Sequence, residues 1–592
     1  MATSTTDHVE GLLGLPQELL TDILRFVPNP TDMINVCAVC KAMQVVALPL
    51  LYHDVHLDLL DAKPTKATSG LLSSTNPGLA LIRNLTINEE QGDSDAMVGE
   101  CCYMALLVLS VIPRDTLRSF SSNIYYQRQI LDDLNSILIQ HQSLLETIRV
   151  SMFSSADFFE NSCRFQHAGV DRLRHIECSP WETIDITSHR PPSLGLYCTV
   201  RPKLETLDLV LRSMGVESDE YTSDDEMATA TSLFFQRFIR PTQEATRGTQ
   251  QGIYNTSERP FPALRRLGLQ HALMGGPAAS MLCRAFSITQ LTSLTLQYCS
   301  DIVPLLKLLV SNQGLLLEHL VIMAEDTGTT PGLSMKELLD SLLGGFGSLQ
   351  TLVLNINQFE VPPLETNRMP SVWAIGQHSA TLKVLSLDFD DERYDLVHFR
   401  ILGRLLIMLE QLSSVFPPVP LWRDLREPHA LGDMRDCPWA ACMREVAALP
   451  RLITLHVRRL PRTTWLQCHL DVGNTDPRNN VTTTDMLQRL STKCFKNVFY
   501  SKPLKVVAWG SLASFIPGEL NPLPHVQPPL LDGTHDCDSW SGMQVFTRCE
   551  KRDLVGGIDV IASVPKGRLK YYEPAVEVLD VIEPVDGFLR FE

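Results

Sequence analysis

One short phrase, L-x-x-L-x-L with Ile or Val as substitutes, recurs along most of this 592-residue chain. Clear copies are Ile82-Leu85-Ile87, Leu145-Ile148-Val150, Leu204-Leu207-Leu209, Leu264-Leu267-Leu269, Leu291-Leu294-Leu296 and Leu317-Leu320-Ile322. Leu349-Leu352-Leu354, Leu382-Leu385-Leu387, Leu452-Leu455-Val457 and Leu504-Val507-Trp509 continue the series. Leu117-Phe120, Leu173-Ile176-Cys178 and Leu409-Leu412 are weaker copies. From Leu264 to Leu409 the spacings are 27, 26, 32, 33 and 27 residues. That is close to, and slightly above, the roughly 20–29-residue period of leucine-rich repeats. Within each phrase apolar residues alternate with others, which predicts a short strand with one face inward. Ile130 to Leu145, Ile302 to Leu309, Leu333 to Leu343 and Val397 to Leu409 have helix character. One strand plus one return helix cannot bury its own apolar face, so such units must stack. The expected fold class is α/β. Residues 58–510 form an irregular leucine-rich-repeat solenoid of parallel short strands with outer helices. A mixed α/β fold with ordinary parallel crossovers stays open beside it.

Insertions near 211–262, 414–450 and 458–503 interrupt the period. The first holds Gly215 to Glu226, GVESDEYTSDDE, which reads as a solvated acidic loop whose Ser218, Thr222 and Ser223 are candidates for phosphorylation. Phe416 to Pro438 is rich in proline and charge, and GNTDPRNN lies inside the third insertion. Residues 511–592 read as a Pro-rich loop, Pro517 to Pro529, followed by a C-terminal cap with strands between Val545 and Val581.

Ahead of the repeats, residues 1–11 read as a disordered start and 12–57 as a compact three-helix module. Pro16 suits a helix beginning, and Leu19, Leu20, Ile23, Leu24 and Val27 follow at helical spacing. Pro28 and Pro30 stop that helix, and Thr31 and Asp32 can cap a second carrying Met33, Ile34, Val36, Cys37, Val39 and Cys40. A third apolar segment, Val45 to Leu48, is expected to be interrupted by Pro49. A module of this size cannot bury so much apolar surface alone, so it must be covered by the following domain or by a partner.

Leu15-Pro16, Glu18-Leu19-Leu20, Ile23-Leu24, Asp32, Val39-Cys40-Lys41, Ala47 and Pro49-Leu50-Leu51-Tyr52 together resemble an F-box motif. The closing Leu-Tyr is similar to the style of F-box proteins of filamentous fungi. Met43 stands where the family usually has Trp. The resemblance implies docking on a Skp-family adaptor, and through it a cullin, with Leu15, Pro16, Leu19, Ile23, Leu24, Ile34 and Val39 at the interface. The chain is then the substrate receptor of an SCF-type ubiquitin ligase, and its repeats hold an unknown target protein. The alternative is a leucine-repeat scaffold or inhibitor outside any ligase.

Cys37, Cys40, His53 and His56 approach a zinc spacing, but both cysteines fall inside an apolar helix. His53 and His56, read as part of a strand, point to opposite faces. In a horseshoe of repeats the residues between the leucines face outward. Arg266, Gln270, Gln297, His319, Val321, Met323, Val353, Asn355, Asp388, His456 and Arg458 are therefore the candidate target-binding residues. Val321, Met323 and Val353 make an apolar patch suited to protein binding.

The formal charge of −17 and the lack of a basic stripe with aromatics argue against nucleic acid as a partner. No apolar stretch reaches the roughly 20 residues of a membrane helix. Fifteen cysteines, an odd number, and no basic n-region before an apolar run point to the cytoplasm or nucleus. The triplets at Asn84, Asn255 and Asn480 then read as chance matches to a glycosylation site. No P-loop, dinucleotide, metalloprotease or nucleophile-elbow motif is present, so neither catalysis nor a cofactor is expected. Asp388, Asp390, Asp391 and Glu392 read as a solvated strand end rather than a cation site, and His535-Asp536-Cys537 as a surface loop.

Overall fold

The computed structural model describes residues 14–27, 30–59, 66–73, 75–89, 95–122, 137–138, 141–150, 172–178, 184–185, 203–212, 224–239, 261–312, 314–326, 334–347, 349–358, 369–388, 396–414, 438–457, 491, 504–509, 544–553 and 556–563. Arg458, the Pro-rich stretch, residues 213–223, Asp390 to Glu392 and His535 to Cys537 lie outside them. The chain divides into two compact units, Met1–Leu267 with Arg284–Ser287, and Gly268–Cys283 with Ile288–Glu592.

The first unit begins with α1 (Gln17–Leu24), α2 (Pro30–Val39) and α3 (Lys41–His53). Leu20, Leu24, Met33, Met43, Val46 and Ala47 form their shared core. Pro49 does not interrupt α3, contrary to the sequence expectation. Val45 and Pro49 are both exposed, so the Val45 carbonyl that loses its helical N–H partner can turn to water. His53 ends α3 instead of opening a strand, and β1 (Asp54–Leu59) follows directly. Parallel, in-register pairing then runs through β2 (Asn84–Glu89), β3 (Ser119–Ser122), β4 (Thr147–Val150), β5 (His175–Cys178) and β7 (Thr206–Arg212). The short β6 (Ile184–Asp185) pairs with the end of β7. Among the helices of this unit are α4 (Lys66–Leu71), α5 (Asp95–Val111) and α6 (Asp224–Ile239).

The last three residues of the expected acidic loop, Asp224 to Glu226, are instead the first turn of α6. Acidic side chains favour a helix N-terminus as readily as a solvated loop. Two successive aromatics, Phe234 and Phe235, anchor this helix. Phe235 meets Phe286 edge-on at 6.2 Å, and Phe286 lies 5.2 Å from Phe261.

In the second unit β9 (Ser293–Ser300), β10 (His319–Asp326), β11 (Thr351–Gln358), β12 (Val384–Asp388), β13 (Gln411–Ser414), β14 (Thr454–Val457) and β15 (Val506–Trp509) pair in parallel. An antiparallel hairpin, β16 (Gln544–Asp553) and β17 (Gly556–Ser563), closes on β15. The strand preceding β9 is β8 (Arg266–Gln270). Each L-x-x-L-x-L phrase supplies the apolar residues of one strand. Register aligns Leu294, Leu320, Leu352, Leu385, Leu412, Leu455 and Val507 in one buried row. Burying one such side chain is worth about 1.5–3 kcal/mol, so the row is a main source of cohesion.

After α7 (Gly276–Ala285), helices α8 (Val303–Ser311), α9 (Met335–Gly344), α10 (Val372–Gly376), α11 (Leu396–Leu405) and α12 (Pro438–Val446) alternate with the strands. From α8 to α12 each neighbours the next. Ser334 and Glu337 form a reciprocal capping box at the start of α9. Ser371 caps α10 through the Ala374 N–H, and its own N–H donates to Asp340 Oδ1 of α9 at 2.7 Å.

A backbone ladder fixes the strand entries in both units. The Arg118 and Ser119 N–H groups both donate to the Arg83 carbonyl. The same pattern links Arg118 to Glu146, Glu146 to Arg174, Arg174 to Glu205 and Glu205 to Arg265. In the second unit it runs Thr292, Glu318, Gln350, Lys383, Glu410, Ile453 and Lys505.

Candidate adaptor-binding module and strand faces

Spacing along α1 separates two faces. Leu20 and Leu24, four residues apart, point into the module core, and Leu24 is only 4% exposed. Leu24 therefore packs the module and does not stand on the surface where the sequence reading placed it. Leu19 and Ile23, also four apart, occupy the exposed face with Leu15 and Pro16 just ahead of the helix. Pro16 precedes α1, and its carbonyl accepts the Leu20 N–H at 3.1 Å.

On α2, Met33 turns inward while Ile34 and Val39 remain exposed. Two further exposed apolar side chains, Phe26 at 86% and Val45 at 60%, are not among the interface residues expected from the motif. The signal for Phe26 was present, because it follows Ile23 by three residues and extends the same helical spacing. Met43, at the position of the family's usual Trp, is buried in the module core. Cys37 and Cys40 pack against that core, and burial pushes the Cys37 thiol above its ordinary value. His53 Nδ1 lies 3.0 Å from the Asp54 carboxylate. Among the described residues no group of three His, Cys, Asp or Glu side chains can hold a metal ion.

The module is thus a small helical body with its own core and, among the described residues, an exposed apolar surface. Residues 12–58 match the F-box-like family model. F-box domains generally mediate binding to Skp-type adaptors, and this one supports reading the chain as an F-box protein with a substrate-adaptor role in ubiquitin ligation. F-box proteins are typically non-enzymatic adaptors. A search of curated proteins returned no match.

The strand positions expected to face outward divide into three groups. Arg266 is exposed, and Gln270, Gln297 and His319 are half-buried. Val321, Met323, Val353, Asn355, Asp388 and His456 are buried, and Arg458 lies outside the described residues. The expected apolar patch at Val321, Met323 and Val353 is therefore not an exposed surface in this chain. The cause is burial on both faces: every residue of β12 and of β14 is buried. Alternation shows which residues share a face, but not whether a second layer covers that face.

The buried second face carries polar side chains beside these apolar ones. Register aligns Val353, Ser386, Ser413 and His456 across four strands. Ser413 and His456 hydrogen-bond to each other at 3.0 Å, and one row earlier His319 Nδ1 meets Thr351 Oγ1 at 3.0 Å. Asn355 Oδ1 and Ser386 Oγ have no hydrogen-bond partner among the described residues. At β9 the pairing with β10 shifts register beside Tyr298, which has φ 52°. Its ring stacks on that of His271, φ 54°, at 5.3 Å. Among the described residues, no helix is long and apolar enough to cross a membrane.

Proposed function

We propose that this chain is the target-recognition subunit of an SCF-type cullin–RING ubiquitin ligase. The observation that carries the reading is the coincidence of the F-box-like match at 12–58 with the exposed apolar side chains of Leu15, Leu19, Ile23, Ile34 and Val39. An adaptor groove that covers these side chains recovers their hydrophobic free energy, at about 25 cal/mol per Å² of apolar surface buried. Leu24 contributes by holding α1 in place. The adaptor tethers the chain to a cullin.

The strand-and-helix units that follow are irregular leucine-rich repeats, a reading supported by the recurrence of one phrase per strand and by the parallel pairing. Their part is to hold a target protein close to a charged ubiquitin-conjugating enzyme. Rate enhancement then comes from effective concentration, without a catalytic residue in this chain. The complex works in the cytoplasm or nucleus, where such ligases operate.

The test is co-purification of the full chain with a Skp-family adaptor, alongside the Ile23→Asp variant. The wild-type chain should retain the adaptor and the variant should lose it. Equal retention by both, or by neither, leaves a repeat scaffold outside any ligase as the better description.

A further inference from the structure

No linker separates the F-box-like helices from the strands that follow. α3 ends at His53 and β1 begins at Asp54. The His53 carbonyl accepts the Arg83 N–H at 3.1 Å, and the Arg83 carbonyl is the next rung of the strand-entry ladder. Beside it Asn84 Nδ2 of β2 donates to Asp54 Oδ1 of β1. The ladder therefore starts on the last residue of the third helix.

A second contact lies one residue earlier. α3 packs on the short 3-10 turn Leu79–Leu81 that leads into β2, and the Tyr52 ring lies on Gly78 just ahead of that turn. A Cβ on Gly78 would stand 2.4 Å from Tyr52 Cδ1 and Cε1 and 2.5 Å from Cζ. Gly78 has φ −71° and ψ −23°, which any residue adopts. The ring, and not the backbone, therefore requires a glycine there. The Gly78 N–H donates to Asn76 Oδ1 at 2.8 Å, and Asn76 Nδ2 donates to the Gly70 carbonyl at 3.1 Å, so the segment under the ring is tied in place. Leu79 and Ile82 behind it are buried. On the other side Leu50 and Leu51, just before Tyr52, pack against the module core. Tyr52 thus stands between the core of the module and the core under the first strands.

We propose that Tyr52 couples the helical module to the first strands, so that the two open and close as one unit. A stacked array needs a terminal cap, because its first strand has no preceding turn to cover it. α1 to α3 supply that cap here. A module of this size is short of core by itself, and packing on β1 and β2 supplies what is missing. Each part therefore depends on the other. The exposed side of α1, with Leu19 and Ile23, is presented only while β1 and β2 are in place. Docking of an adaptor is then conditional on folded strands behind the module, a consequence that rests on the ligase reading, whereas the coupling itself does not.

The test is hydrogen exchange read by mass spectrometry on the full chain, with no adaptor present. Leu85 of β2 is fully buried and lies outside the module. Leu85→Ala should nonetheless speed exchange of the α1 and α3 amides at least about tenfold, because shared opening sets their rate. In a Tyr52→Ala background the same change should speed the β2 amides alone. Tyr52→Phe keeps the ring and should keep the transmission. Gly78→Ala acts at the seam and leaves both cores intact, so it tests the contact even where Leu85→Ala does not fold. It should speed exchange on both sides, and adding Tyr52→Ala should relieve most of that effect, since the methyl group then has room. Unchanged helix exchange in Leu85→Ala or in Gly78→Ala would overturn the proposal, because the module then opens on its own. Transmission that survives loss of the ring would overturn the assignment to Tyr52. Adaptor retention, measured separately, bears on the ligase reading and can fail while the coupling stands.

Discussion

Ser413 and His456, on neighbouring parallel strands, share a 3.0 Å hydrogen bond with both side chains fully buried. A buried polar group that loses a partner costs more than the bond itself contributed, because its desolvation is no longer compensated. Ser413→Ala should therefore lower stability by about 1–3 kcal/mol. Replacing both residues, Ser413→Ala with His456→Leu, should cost less than the sum of the single changes. Urea unfolding of the four chains of this double-mutant cycle measures the coupling.

The two faces of α1 make opposite predictions. Leu15→Ala with Pro16→Ala, or Ile23→Asp alone, should abolish adaptor binding with little change in the thermal midpoint. Leu24→Ala should instead destabilise the module by about 2–5 kcal/mol, the usual cost of truncating a buried leucine. Pull-down and circular dichroism on the same preparations separate the two effects.

His378 carries a pH dependence. Its ring is buried, Nε2 donates to the Leu343 carbonyl at 3.1 Å, and the ring lies 5.5 Å from that of Phe346. Burial holds the imidazole below its ordinary value of 6.5, with the Leu343 bond opposing only in part. The unfolded chain thus takes up a proton more readily than the folded one. The stabilisation is complete above pH 6.5 and is lost as pH falls from there through the lower folded value. His378→Leu should flatten the dependence of the thermal midpoint on pH below 6.5.

Two glycines in neighbouring helices should respond differently to a methyl group. A Cβ on Gly403 of α11 would stand 2.7 Å from the Glu445 carbonyl oxygen of α12, which is backbone and cannot swing aside. A Cβ on Gly376 would meet Leu405 Cδ1, also at 2.7 Å, the far end of a flexible side chain. Gly403→Ala should therefore cost about 1–3 kcal/mol through overpacking, and Gly376→Ala less. Thermal melts of both variants decide the order.

Much of the strand order was legible because the leucine phrase repeats the same three positions, and each copy occupies one strand. The burial of Val353, Asn355 and His456 was not legible. A strand with one covered face and a strand with two can show the same alternation when the second face includes polar residues, as Ser386 and Ser413 do here. Motif position alone does not separate the buried Leu24 from the exposed Ile23, although the four-residue spacing of Leu24 from Leu20 does. The carboxylates of Asp224 to Glu226 signal a loop when taken alone, and the Phe234-Phe235 pair that anchors the helix lies beyond them in the chain. Pro49 signals a break through its missing N–H, but the exposure of Val45 decides whether that loss matters.

In the strand-entry ladder each carbonyl is gripped by two consecutive N–H groups of the next turn. The clamp acts where a strand starts and takes no account of how the chain returned. Its rungs in the second unit are 26 to 52 residues apart, yet the parallel alignment of β11 through β15 does not slip. Insertions and deletions in the return segments can therefore accumulate over evolution without changing which residue meets which across the sheet. The family of sequences able to adopt this sheet should vary most in length between strands and least at the rungs.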